Sequence, residues 1–185
     1  MSHSNSVANP GPLGLLGFGM TTFLLNLHNA GITELSVAIL SMGIALGGLA
    51  QVIAGIMEFK AGNTFGATAF TSYGLFWWSL VIILVNPACL GGLEASGTTM
   101  GFYMLLWGIY TSFMFVGTLK GDRSLQLVFL TLAILFFILA VEKFTGSHAL
   151  AKVAGIEGMI CAAIALYTSF ATVVNTQFGK NVLPL

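Results

Sequence analysis

Six basic and six acidic side chains punctuate this chain of 185 residues so sparsely that long stretches between them carry no charge at all. The uncharged runs are 1–33, 35–57, 61–93, 95–119, 124–141 and 158–179. A helix needs about 20 apolar residues to cross a hydrocarbon core of about 30 Å. Each run has room for one crossing, which predicts six helices at roughly 13–30, 35–57, 67–86, 97–118, 124–142 and 151–174. Strands of a membrane barrel would alternate apolar and polar residues in segments of about ten. "LAILFFILA" (132–140) does not alternate.

Composition removes the soluble alternative. Charged residues make up 6% of the chain, against about 25% in a typical soluble domain, so there is too little polar surface to face water. The sequence therefore reads as an all-α integral membrane protein, a six-transmembrane-helix bundle forming a single domain over 1–185. Its loops are too short for a separate soluble domain, and no internal repeat marks a transporter site.

Orientation follows from the cations. With the N-terminus inside, the inner loops and tail hold Lys60, Lys120, Arg123 and Lys180, and the outer loops hold Lys143 and Lys152. That bias places both termini in the cytoplasm. The first hydrophobic run is not expected to be a cleaved signal peptide, because a Pro-Gly segment stands where a basic n-region belongs.

Several functions are disfavoured. Formal net charge is zero, which argues against a nucleic-acid partner. Cys89 and Cys161 have neither metal-ligand spacing nor the look of a disulfide framework. His3, His28 and His148 are scattered among the tail and helix ends, so no metal or cofactor is expected. No Ser–His or Cys–His spacing points to a nucleophile, and the chain is not read as an enzyme.

Counting from each helix's cytoplasmic end, Thr21 and Thr22, Gln51, Thr71 to Tyr73, Thr111 and Ser112, Thr131, and Thr168 and Ser169 fall roughly 8–14 Å deep. Two readings compete. Membrane Ser and Thr often bond back to their own helix carbonyls or join neighbouring helices. A polar passage with donors converging at one level is the sharper reading, and Gln51 and Tyr73 favour it. Gly43, Gly47 and Gly55, and Ala151, Ala154, Gly155, Gly158 and Ala162, have the spacing that lets helices close tightly, with ordinary packing as the usual cause.

No Lys, Arg or Asp falls deep inside a predicted helix, Lys152 standing at the outer end of the last. An anion would have to be met by hydroxyl, amide and backbone donors, and would be held weakly, as a permeant that must also leave requires. Glu58 and Glu142 fall at helix ends beside Lys60 and Lys143, where interfacial pairing is the default. Glu157 lies about 9 Å inside the last helix, and an intramembrane acid is a functional candidate. Snorkelling toward the interface or Lys152 competes with that role.

Four segments carry a resemblance: "NPGPLGLLGFG" (9–19), "GGLAQVIAGIMEFKAGNTFGATAFTSYGLFWWS" (47–79), "FMFVGTLKGDRSLQ" (113–126) and "NTQFGKNVLPL" (175–185). Together the chain resembles the acetate uptake transporter family, in its bacterial succinate–acetate permease branch. The family's opening motif has Ala where this chain has Gly11. The resemblance implies six helices per protomer, a homohexamer with one pathway in each protomer, and movement of acetate and related small monocarboxylates, with succinate in some members. Members have been described as proton symporters and as channels. It also implies a constriction formed by Phe18, Tyr73 and Leu132. These lie on helices one, three and five at estimated depths of roughly 8–12 Å, within the polar layer.

The expected function is passage of a small carboxylate across the cytoplasmic membrane, through that neck. Gln51, Thr22, Thr21 and Thr71 are the candidate contacts, and the Tyr73 hydroxyl is expected to be free for a carboxylate. Residues 9–12 are expected as a bent or extended segment at the inner mouth, with Asn9 as a further donor. Asn63 and Thr64 are expected to do the same before the third helix. Glu157 and Glu58 are the candidates for proton coupling. A pore for another small polar solute, and a membrane scaffold or sensor that moves nothing, are the rival readings.

Overall fold

The computed structural model describes residues 8–86 and 90–185; His3 and Cys89 lie outside the described residues. Its six helices are α1 (Gly11–Asn29), α2 (Val37–Ala61), α3 (Thr64–Val85), α4 (Gly97–Thr118), α5 (Arg123–Thr145) and α6 (His148–Phe178). Five of the six, α2 to α6, are long and apolar enough to cross a membrane. In α1 four glycines, Asn26, His28 and Asn29 dilute the hydropathy. With 31 residues, α6 is longer than expected, about 46 Å, and its ends extend beyond a hydrocarbon core.

The Pro-Gly stretch is helical from Gly11, which corrects the expectation of an irregular segment over 9–12. Pro10 already has φ −80 and ψ −15, and its carbonyl accepts the N–H groups of Leu13 and Gly14 at 3.1 and 3.3 Å. Pro12 falls in the first turn, where a missing N–H forfeits no intrahelical bond. Asn9 Oδ1 accepts the Gly11 N–H at 2.9 Å. Before α3, Asn63 Oδ1 accepts the Gly66 N–H at 3.1 Å, and Gly62, at φ +76, makes the turn out of α2 that a side chain would strain.

The helices form a ring in chain order, each packed on its neighbours, with α6 closing against α1. Lipid offers no hydrophobic force to drive helices together, so small residues and interhelical bonds do this work. A β-carbon at Gly17 would collide with the Leu46 carbonyl of α2, and one at Gly19 would come within 2.7 Å of Leu166 on α6. The small-residue rows on α2 and α6 likewise face α3 and α1, which is the ordinary packing reading. Ser169 Oγ on α6 donates to Pro12 O at 2.7 Å, tying the two ends of the chain together.

Within α2, Gly43–Ala50 winds as a π-helix. Such wide turns leave carbonyls for other partners, and they are frequent at functional sites. Trp78 Nε1 donates to Ile44 O at 3.0 Å, and Gln51 Nε2 to Gly47 O at 2.8 Å.

One joint of the ring is different. The backbones of α3 and α4 scarcely meet, and aromatic rings fill the space, among them Phe76–Trp107 at 5.0 Å and Phe76–Tyr103 at 5.8 Å between centroids. Three hydroxyl pairs bridge the same joint: Tyr73–Thr111 at 2.9 Å, Ser72–Tyr110 at 2.7 Å and Ser79–Tyr103 at 2.6 Å. At about 0.6 kcal/mol for an interhelical bond in a membrane protein, they contribute about 2 kcal/mol together.

Candidate functional site

The ring encloses two cavities that meet end to end. The larger, about 540 Å³, opens where α1 ends and α2 begins; the smaller, about 260 Å³, opens beside Asn9, Asn63 and Asp122. Among the described residues, only Phe18, Tyr73 and Leu132 line both. They come from alternate helices of the ring, α1, α3 and α5, and are 6%, 4% and 3% exposed. The Phe18 and Tyr73 rings lie 6.3 Å apart. The trio is a neck between two vestibules, an apolar constriction of the kind that can gate by dewetting.

The Tyr73 hydroxyl is not free, contrary to expectation. Thr111 Oγ1 donates to Trp107 O at 2.7 Å, and its only hydrogen is spent there. Tyr73 must therefore be the donor in its 2.9 Å bond to Thr111 Oγ1. The neck presents the ring of Tyr73 and keeps its proton turned away into the α3–α4 joint.

The other sequence-derived residues separate. Gln51, Asn9, Asn63 and Glu58 line the small vestibule, and Thr22 lines the large one. Thr21, Thr71, Thr64 and Glu157 line neither. Thr21 donates to Gly17 O at 2.8 Å, and Thr71 packs against Gly55 of α2. Thr64 is exposed at the start of α3. Glu157 is half-buried on α6, and neither carboxylate oxygen has a partner among the described residues. Much of the polar layer follows the local reading: Thr111, Ser112, Thr131 and Thr168 each donate to the carbonyl four residues back, at 2.7–2.8 Å.

Three buried polar groups beside the neck have no partner among the described residues: Thr22 Oγ1 and Trp77 Nε1 in the large vestibule and Gln51 Oε1 in the small one. They are 3%, 3% and 1% exposed. Buried polar groups are nearly always paired; these three flank one constriction, and Thr71 Oγ1, Ser124 Oγ and both carboxylate oxygens of Glu157 are likewise without a partner among the described residues. Sequence reading missed Trp77, because an aromatic residue in "YGLFWWS" looks like ordinary core. It sits one helical turn from Tyr73, and that spacing was the available signal.

Charge is distributed unequally. Lys143 and His28 stand at the large vestibule with Glu94, and Lys143 Nζ lies 3.0 Å from Glu142 Oε2. The small vestibule has Glu58 and Asp122 and no cation among the described residues that line it. Glu58 is buried, and its Oε2 accepts from Asn63 Nδ2 at 2.9 Å.

Known proteins fit this architecture. The model of the GPR1/FUN34/yaaH family matches residues 1–184. The succinate-acetate/proton symporter SatP of Escherichia coli (strain K12) is 54% identical over 183 residues, covering 98% of this chain and 97% of its own. Acetate permease A of Emericella nidulans is 32% identical, covering 96% of this chain and 65% of its own. A solved structure described as the bacterial acetate channel SatP matches with a TM-score of 0.93 at 54% identity, covering 96% of this chain and 98% of that one.

Proposed function

Because the chain belongs to the GPR1/FUN34/yaaH family, we propose from its geometry a route by which it carries acetate and related small carboxylates across a membrane. The carboxylate enters one vestibule, passes the Phe18–Tyr73–Leu132 neck and leaves through the other. The observation that carries this reading is that, among the described residues, the two vestibules share those three side chains and no others. The apolar ring rejects hydrated ions by dewetting, and a solute with one charged end and one methyl end suits a short apolar step between polar chambers.

All six helices cross the cytoplasmic (inner) membrane in this reading, α1 included, with both termini and the small vestibule on the cytoplasmic side. The distribution of Lys and Arg supports that orientation. The pathway is complete within one chain, so a homohexamer would hold six parallel routes. Acetate with a proton and acetate alone differ in what drives them, which separates symport from channel conduction.

The deciding measurement is labelled acetate uptake into proteoliposomes, corrected by protein-free liposomes for diffusion of the neutral acid. Uptake driven by an interior-positive potential at matched pH is the channel result. Uptake indifferent to potential and driven by a pH gradient is the symport result, and Glu157→Gln and Glu58→Gln then test the two candidate proton sites. Absence of protein-dependent flux from folded protein would favour the scaffold reading instead.

A further inference from the structure

We propose that the indole N–H of Trp77 and the hydroxyl of Thr22 form a carboxylate-binding station in the large vestibule, one helical turn from the neck. The proposal rests on the transport reading and adds to it the point at which the anion is held.

Register places the two groups. Thr22 follows Phe18 by four residues on α1, and Trp77 follows Tyr73 by four on α3, so both rise about 6 Å from the neck on the faces that form it. Both line the large vestibule, both are 3% exposed, and neither has a partner among the described residues. The direction of the indole follows from its packing. A β-carbon built at Gly47 would lie 2.7 Å from Trp77 Cγ and 2.9 Å from Cδ2, and one at Gly43 would lie 3.6 Å from Cε3. That edge faces α2, so the opposite edge, with Nε1–H, turns away from it.

The neighbouring residue is an internal control. Trp78 obeys the usual rule that an indole N–H finds a partner, donating to Ile44 O at 3.0 Å. Trp77, more deeply buried, does not.

Chemistry then selects the ligand. An indole N–H donates and cannot accept, and the Thr22 hydroxyl has a hydrogen to donate beside it, so the station favours a hydrogen-bond acceptor. Two donors match the two oxygens of a carboxylate. The neck itself offers none, because Tyr73 donates to Thr111. Neither group carries charge, so the anion is held long enough to align its methyl end with the neck and is still released. Lys143 stands at the mouth of this vestibule, paired with Glu142.

The test uses the full-length protein in lipid nanodiscs, observing indole N–H resonances by NMR during titration with sodium acetate, against sodium chloride at the same ionic strength and pH. Trp77→Phe identifies the resonance. The expected result is a saturable downfield shift of the Trp77 N–H with acetate alone, while Trp78 stays in place. Thr22→Val should raise the acetate midpoint about tenfold, as loss of a hydrogen bond to a charged group does, and Thr22→Ser should restore it. A Trp77 resonance that ignores acetate, or moves equally with chloride, overturns the station. If the wild-type protein carries acetate in liposomes in that case, the transport reading stands without it. If the wild-type protein carries none, the transport reading itself has failed.

Discussion

At its deep end the large vestibule offers donors, Trp77 Nε1–H and Thr22 Oγ1. The small vestibule ends on Gln51, whose Nε2 is bonded to Gly47 O and whose unpartnered atom is the acceptor Oε1. Toward their mouths the contrast continues, with Lys143 and His28 beside Glu94 on one side and Glu58 and Asp122 on the other. The same three residues close both chambers, yet an anion meets unpartnered donors beside the neck in one and an unpartnered acceptor and like charge in the other. A passage need not bind its solute equally on both faces. Holding on one side and repulsion on the other keep the solute from resting in a deep well, which fast conduction requires.

The largest effect expected from this comparison is all-or-none. Thr22→Cys and Thr168→Cys, made with Cys89→Ser, place one thiol in each vestibule; Cys161 is fully buried and gives little background. A membrane-impermeant thiol reagent should modify each from one side only, Thr22→Cys from outside and Thr168→Cys from the cytoplasm. Labelling of both from the same side would mean the two cavities are one continuous chamber.

Leu132→Ala removes part of the partition. The ratio of succinate to acetate flux should rise about tenfold, the discrimination expected from a few methylenes. The truncation should destabilise the fold by about 2 kcal/mol, read as a lower unfolding temperature in detergent. An unchanged ratio in folded protein would remove Leu132 from size selection.

Gly17→Ala acts on the neck from behind. Its methyl meets the Leu46 carbonyl of α2, and overpacking of this kind costs about 2 kcal/mol. Since Phe18 is the next residue, flux should fall equally in both directions. A one-directional loss would show that α1 serves one vestibule more than the other.

The smallest effects come from the mouths. Lys143→Gln should slow acetate uptake about twofold at low ionic strength, and Asp122→Asn should speed loading from the cytoplasmic side by a similar factor. Both changes should vanish near 1 M salt, where the screening length is about 3 Å. Persistence at high salt would mean that these residues contact the solute directly.

Legibility in the sequence differed with the physical distance over which each feature is decided. The six helices could be read from uncharged runs because hydrocarbon demands that backbone bonds close locally. The Phe18, Tyr73 and Leu132 trio came from the family resemblance, with estimated depth in agreement, and those side chains lie where the two vestibules meet. The start of α1 could not, because two prolines and a glycine read as punctuation until Asn9 and the Pro10 carbonyl are seen to close the first turn. The polar layer was read at the right residues, but hydroxyl depth does not give direction. Thr21 turns back to its own helix, while Thr22, one position along, faces the vestibule.

By itself, then, the sequence determined the membrane class and the run of apolar helices, which depend on composition, spacing and local backbone chemistry, while the family and the Phe18, Tyr73 and Leu132 trio came from the resemblance of its motifs. Tertiary structure alone decided which donors remain available at that neck. Thr111 accepts the hydroxyl hydrogen of Tyr73 across the α3–α4 joint, and the glycine face of α2 receives the Cγ–Cδ2 edge of Trp77 rather than its N–H. A hydrogen-bond donor is committed or free according to its neighbours on other helices, and no spacing along one helix records that.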